Sequence, residues 1–355
     1  MEQGSAMTIG LDVGDKHSQV CVLDAVTGEV IEESRIRTTQ AGIRNYFASR
    51  EPALITLEVG THSPWISREL TGEGHEVIVA NARKVRLIHA SSRKNDKLDA
   101  EKLARLTRVD ARLLSPIQHR SAKAQADLAR IRSRDALVSA RTGLINHARG
   151  SVKAFGARLP SGATSAFASK ARESIPAELK PALEPVLATI EKLTASIKLM
   201  DKELVALAAD YPSTSVLRQV AGAGLLTTLT FQLVIEDPSR FGKSREVGPY
   251  LGLTPGEHQS GDRNPKRRIT KEGDPLLRRL LVQCAHYILR GKTDSDLKRA
   301  GLRIMSNGGH KAVAVTAVAR KLAVLLHHLW VTGEVYEPLY NHQSETETLV
   351  AVTVA

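Results

Sequence analysis

Two heptad patterns in the middle of the chain restrict its fold more than any other feature. Ile131, Val138, Ile145 and Val152 recur every seventh residue, flanked by Leu128, Leu137, Leu144 and Phe155. A 3.5-residue apolar repeat keeps a narrow seam on one side of a helix, so the stretch predicts one long amphipathic helix. After a break at Pro160 to Gly162, Leu183, Ile190, Ile197 and Leu204 form a second track, with Leu179, Val186, Leu193, Met200 and Leu207 beside it. Together they predict a coiled-coil linker over residues 116–210. It is formed either as an antiparallel hairpin within the chain or with copies of it in an oligomer. Arg130, Arg132, Arg134, Arg141 and Arg149 on the first helix are open to two readings, contact with a nucleic acid or a solvated polar face.

Residues 7–115, upstream of the seams, alternate strand-like runs with turns. TIGLDVG, HSQVCVLDA and Glu29 to Arg37 read as three strands, the last two split at Thr27-Gly28. A helix at Gln40 to Ala48, the strand ALITLEVG, a helix near Pro64 to Leu70 and the strand HEVIVAN follow. A meander and then alternating helix and strand is the order of a mixed-sheet, RNase H-like fold. Within it Asp12 falls in the middle of the first strand and Glu58 near the end of the fourth, where burying a carboxylate is costly unless something offsets its desolvation. RKNDKLDAEKLARL reads as a helix carrying Asp96 near its start and Asp99 one turn on, on one face. Four oxygen donors from two strands and a helix suit Mg²⁺ or Mn²⁺. Each also has an ordinary role: Asp96 as an N-cap, Asp99 as a first-turn carboxylate, Glu58 in a turn, Asp12 as a satisfied core group.

Residues 211–340 predict a mainly helical domain, and 341–355 a polar tail. SVLRQVAGAGLLTTLTFQLVIED turns at Gly222-Ala223-Gly224 between helices, the pattern of a helix-hairpin-helix, where turn amides can hold a phosphate; a plain core turn is the alternative. PYLGLTPGEHQSGDRNPKRRITKEGDPLLRRLL then sets Ser260 in a Gly-flanked loop and follows it with Arg263, Lys266, Arg267, Arg268, Lys271, Arg278 and Arg279. That row of charge suits a phosphate backbone, although a solvated basic helix would look similar. His310, His327 and His328 lack the spacing of a metal site and read as structural.

A net charge of +12 over 355 residues and an aromatic content of 4% point to a polyanionic partner bound by charge more than by stacking. Charge alone does not separate DNA from RNA. Cys21 and Cys284, each in an apolar run, offer neither a disulfide framework nor a zinc site and read as core residues. No signal peptide and no uncharged apolar run of membrane length is visible, so the expectation is a soluble, intracellular, cytoplasmic protein with no membrane partner.

GLDVGDKHS resembles the first phosphate loop of actin-like ATPases and sugar kinases, but their second acidic glycine-rich loop and adenosine-binding glycine pair have no convincing counterpart here. The order GLDVG, LEVG, NDKLDA, coiled coil, VAGAG, YLGLTPGEHQSGD and KRRITKEGDPLLRRLL resembles, over nearly the whole chain, the insertion sequence 110 family of transposases, recombinases guided by a bridge RNA. The resemblance implies a RuvC-like domain whose Asp-Glu-Asp-Asp tetrad is Asp12, Glu58, Asp96 and Asp99, and a transposase domain whose nucleophile is Ser260. It further implies donor and target DNA as substrates, a covalent phosphoserine intermediate, and an oligomer, dimer to tetramer, in which one subunit's serine completes another's metal site. Ala221 departs from the family, where a proline is common, and so does the segment before Met7. Two other readings stay open: a RuvC-like endonuclease that uses water with Ser260 structural, and a non-catalytic nucleic-acid-binding protein.

Overall fold

The computed structural model describes residues 6–81, 95–256 and 267–341. The chain divides into two compact units, Met1–Arg120 and Ser121–Ala355.

The first unit is a five-stranded mixed sheet. Its elements are β1 (Met7–Val13), β2 (His17–Asp24), β3 (Val30–Arg37), α1 (Gln40–Phe47), β4 (Leu54–Glu58), α2 (Ser63–Gly72), β5 (Glu76–Ala80) and α3 (Asp96–Asp110). The strand order is β3-β2-β1-β4-β5. β1 to β3 form the expected antiparallel meander, and β4 and β5 add parallel to β1. Successive side chains alternate between faces, so Ile9, Leu11, Ile55 and Leu57 pack with Ile43 and Phe47 of α1 and Ile66 and Leu70 of α2. The opposite face packs Cys21 and Leu23 on Ala100 and Ala104 of α3. This is the mixed sheet with helices expected of an RNase H-like domain. Burial pushes the Cys21 thiol up to about 11, aided by Glu101 and Glu33, so it behaves as a core residue.

The second unit is helical. It contains α4 (Ala122–Lys153), α5 (Phe167–Ser174), α6 (Lys180–Leu207), α7 (Ser213–Leu217), α8 (Leu225–Ile235), α9 (Val247–Tyr250), α10 (Pro275–Arg290), α11 (Asp296–Ser306) and α12 (Lys311–Thr332). α4 and α6 pair within the chain. Arg134 Nε donates to Asp201 at 2.8 Å and Arg141 Nη1 to Thr194 at 3.4 Å, so seven residues up one helix match seven down the other and the pair is antiparallel. Its two ends are apolar, with Leu128 and Ile131 clustered with Leu204 and Leu207 at one, and Ile145 and Val152 with Leu183 and Ile190 at the other.

Three expectations change here. The inner track beside Leu183, Ile190 and Ile197 is Leu187 and Thr194, both buried, while Val186, Leu193 and Met200 are only half-buried. Phe155 lies past the end of α4 and is 52% exposed, so it belongs to no seam. The break between the helices also holds a helix of its own, α5, whose Phe167, Ala168 and Ala171 cover one end of the hairpin and whose Arg172 pairs with Glu184 and Glu191.

The core of the second unit lies between α8, α10 and α12. α12 is long and apolar enough to cross a membrane by length and composition, but half of it is buried in the fold. His327, within it, is buried and bonded to Ser244 and to the carbonyl of Pro238, a structural role.

Candidate active site

In the parallel pair β1 and β4, Thr8 to Leu11 match Leu54 to Leu57, and Asp12 and Glu58 are the next residues along. Asp12 therefore sits one residue from the strand's end rather than in its middle. By alternation both point to the face shared with Gly10 and Thr56, the face that α3 covers. Thr107 of α3 donates to Thr56 at 2.7 Å, and a methyl group on Gly10 would collide with the Ala100 carbonyl oxygen and lie 2.7 Å from the Ala104 amide nitrogen.

The direction of α3 follows from its far end. Arg105 donates to the carbonyl of Gly28 at 3.2 Å, and Arg108 to those of Ala25 and Val26 at 3.0 and 2.6 Å. Those residues form the β2–β3 turn, at the end of the sheet where β1 begins. The first turn of α3, with Asp96 and Asp99, therefore lies toward the opposite end, where β1 and β4 finish in Asp12 and Glu58. Asn95 caps the helix by accepting from the Lys97 amide at 3.2 Å, so Asp96 is not the cap.

The four carboxylates thus share one end and one face of the sheet. Asp12, Glu58 and Asp99 are half-buried and Asp96 is exposed; Glu58 Oε1 is shielded from solvent. Asp99 is drawn to Lys102 at 3.1 Å. Among the described residues, no three of His, Cys, Asp and Glu stand close enough together to hold a metal. The all-carboxylate donor set and its common placement fit a hard divalent cation in kind, without a closed cage among the described residues.

Several residues around this edge carry no sequence motif of their own. Gly60 N donates to Ser63 Oγ at 2.9 Å, which fixes the turn after Glu58, and Ser63 Oγ also meets His119 Nε2 at 2.9 Å. Burial, then Arg68 and Arg120, hold the His119 pKa below the usual imidazole value. Trp65 donates to His62 Nδ1 at 3.1 Å, so the His62 proton sits on Nε2, facing Asp15 at 3.2 Å. Only Gly10 left a trace in the sequence, a glycine in a strand opposite Ala100 and Ala104 spaced four apart on a helix.

On the second unit, Ser260, Arg263 and Lys266 lie outside the described residues. The two segments bracketing them form a stem: Pro255 bridges Ile269, Gly256 N donates to Arg268 O and Thr270 N to Thr254 O, both at 3.0 Å. Gly252 (φ 65°) and Gly273 (φ 71°) let the stem's bases cross, since a side chain on either would overlap the backbone opposite. Arg267, Arg268 and Lys271 are exposed.

Arg278 and Arg279 have partners within the unit, although Arg279 stays exposed. Arg278 donates to the carbonyls of Leu251 (3.0 Å) and Glu272 (2.5 Å), and Arg279 pairs with Asp135 of α4. The α4 arginines are likewise engaged inside the unit: Arg132 with Asp274 at 2.8 Å, Arg134 with Asp201, Arg141 with Thr194, and Arg149 over the Phe167 ring. Gly222 (φ 95°) and Gly224, which begins α8, form the expected turn between α7 and α8.

The fold is an RNase H-like mixed-sheet domain in a chain that also carries a helical domain, and a family model assigns the first to transposases of the DEDD type, a class that acts on DNA and points to dependence on a divalent metal. The chain belongs to the insertion sequence 110 family of transposases: a DEDD-type model of that family, described as "Transposase", matches residues 9–155, and "Transposase IS116/IS110/IS902 family" matches residues 214–299. The chain is similar to the transposase for insertion sequence element IS1111A of Coxiella burnetii, 28% identical over 92% of this chain and 90% of the relative. It is also similar to the transposase for IS1328 of Yersinia enterocolitica, 28% identical over 92% and 98%, and to a probable family 20 transposase of Pseudomonas aeruginosa, 27% identical over 93% and 98%.

Proposed function

We propose that this transposase excises and inserts an insertion sequence through attack of the Ser260 hydroxyl on a DNA phosphodiester. The bond from Ser260 Oγ to phosphorus forms as the bond from phosphorus to a deoxyribose oxygen breaks. The serine proton passes to a base, and the departing sugar oxygen takes up a proton to become a free hydroxyl. A hydroxyl of another strand then attacks the phosphoserine and releases the serine, so the phosphodiester count is conserved and nothing is lost to hydrolysis.

A serine hydroxyl is a weak nucleophile at neutral pH and needs activation. Asp12, Glu58, Asp96 and Asp99 would hold Mg²⁺ or Mn²⁺, which when bound supplies Lewis-acid stabilisation of charge on the phosphate oxygens. Arg267, Arg268 and Lys271, with Arg263 and Lys266, hold backbone phosphates near the serine, and the Gly222–Gly224 turn holds another. A bridge RNA selects donor and target by base pairing, and an oligomer, up to a tetramer, brings one subunit's serine to another's carboxylates. The protein works in the cytoplasm on nucleoid DNA. Its parts are a RuvC-like domain (7–115), a linker (116–210), a transposase domain (211–340) and a tail (341–355).

The observation that most supports this reading is the placement of Asp12 and Glu58, side by side at the ends of neighbouring parallel strands, under the helix that begins with Asp96 and Asp99. The test is to express the protein with its flanking DNA and amplify across the excised-circle junction in wild type, Asp12→Ala and Ser260→Ala. Junctions from wild type alone are expected. Junctions that persist in Ser260→Ala but not in Asp12→Ala would remove the serine and leave a water-using nuclease.

A further inference from the structure

α10 buries one side and exposes the other. Leu277, Leu281, Cys284, Ala285 and Ile288 enter the core, while Arg279, Gln283, Tyr287 and Arg290 line the outer face. Tyr287 is 65% exposed, although only 4% of the chain is aromatic. It lines a cleft of about 350 Å³ with His286, Arg290 and Gly291. Core packing does not account for a large ring on the polar face of an amphipathic helix.

The ring is also held in place. The Gly222 turn passes so close that a methyl group there would lie 3.1 Å from Tyr287 Cδ1 and 3.0 Å from Ile288 Cγ1. One ring edge thus rests on the turn. Near the end of α10 the Tyr287 carbonyl accepts from Gly291 N at 2.8 Å, and just past the helix the Gly291 carbonyl accepts from Lys298 Nζ at 2.7 Å, which brings a third cation to the cleft. Arg290 and Lys292, both exposed, leave the local charge positive.

We infer that this cleft binds one unpaired nucleotide of DNA, its base stacked on Tyr287 and its phosphate held by Arg290. The inference rests on the recombinase reading above, because strand exchange separates strands and exposes base faces that a duplex hides. Stacking on an aromatic ring discriminates little among bases, which suits a site working beside whatever sequence a guide selects.

The test uses the full-length protein, fluorescein-labelled oligo-dT, a duplex of equal length and oligo-rU, read by anisotropy, with folding followed by circular dichroism. Tyr287→Ala is expected to weaken oligo-dT binding about tenfold and leave the duplex unchanged, while Tyr287→Phe, which keeps the ring, binds like wild type. Arg290→Gln is expected to lower the salt slope on oligo-dT by roughly 0.7. An equal loss on duplex and single strand, no loss in Tyr287→Ala, or a loss confined to oligo-rU would each overturn the proposal. The excision assay separates the two readings. Junctions from wild type with unchanged binding in Tyr287→Ala would sink the stacking site alone. No junctions from wild type, with a selective loss in Tyr287→Ala, would sink the recombinase alone.

Discussion

Helix α3 meets β1 backbone to backbone at Gly10, against the Ala100 carbonyl and the Ala104 amide, whereas α4 and α6 meet through side chains along their length. In the first unit the relation of Asp96 and Asp99 to Asp12 and Glu58 is set by how closely a helix can lie on a strand. In the second the helix pair is sealed by apolar ends, and its middle is spanned by Arg134–Asp201 and Arg141–Thr194. A backbone contact tolerates no added atom, while a side-chain contact at a half-exposed seam can lose a partner and let water replace it. The first unit should therefore be sensitive to volume and the hairpin forgiving of lost charge.

The largest effect expected is from Gly10→Val. Three carbons placed where one already collides must lift α3 from the sheet, destabilising the first unit by about 3 kcal/mol, the upper end of overpacking costs, and ending excision with all four carboxylates intact. Urea denaturation and the junction assay read the two effects, and wild-type stability in this variant would end the comparison.

A smaller, pH-dependent effect belongs to Glu32. It accepts from Ser34 (2.5 Å), Tyr46 (2.7 Å) and Arg50 (2.7 Å), and these hydrogen bonds lower its pKa to about 2. Because the folded value is depressed, its contribution is full above the ordinary value of 4.5 and is lost as pH falls toward 2. Stability of the full chain measured across that window should fall with acid, and Glu32→Gln should flatten the slope. A variant that keeps the wild-type slope would place the acid sensitivity elsewhere.

The smallest effect is expected from Arg134→Ala. Its partner Asp201 is 49% exposed, so the loss should be within about 1 kcal/mol. A double-mutant cycle with Asp201→Ala measures the coupling; a much larger value would mean that the hairpin's middle is as intolerant as Gly10.

The strands of the first unit were legible because period-two alternation and the turns between them leave little freedom, and the predicted bounds lie within a few residues of those found. Asp12 and Glu58 stood out as charges where a strand's apolar residues belong, whereas Asp96 and Asp99, ordinary in a helix's first turn, were marked only by their shared face. The hairpin's inner track was not. Val186 and Leu187 are both apolar and both satisfy a 3.5-residue repeat beside Leu183 and Ile190, and only the partner helix selects Leu187. Nor was the fate of the arginines, since a cation's sequence neighbours do not reveal whose oxygen it will meet. Arg278 and Arg279 follow a basic run in the chain, yet they serve Leu251, Glu272 and Asp135.

By itself the sequence determined the element order, the two long helices and the family, and it marked four carboxylates as candidates, because periodicity and misplaced charge are local properties. Tertiary structure alone decided that the long helices pair with each other, that α3 runs opposite to β1, that Gly10 governs its height above the sheet, and that Tyr287 stands in a cleft against a turn more than sixty residues earlier in the chain. Those facts depend on which surfaces meet, and a residue's own neighbours in sequence do not encode its neighbours in space.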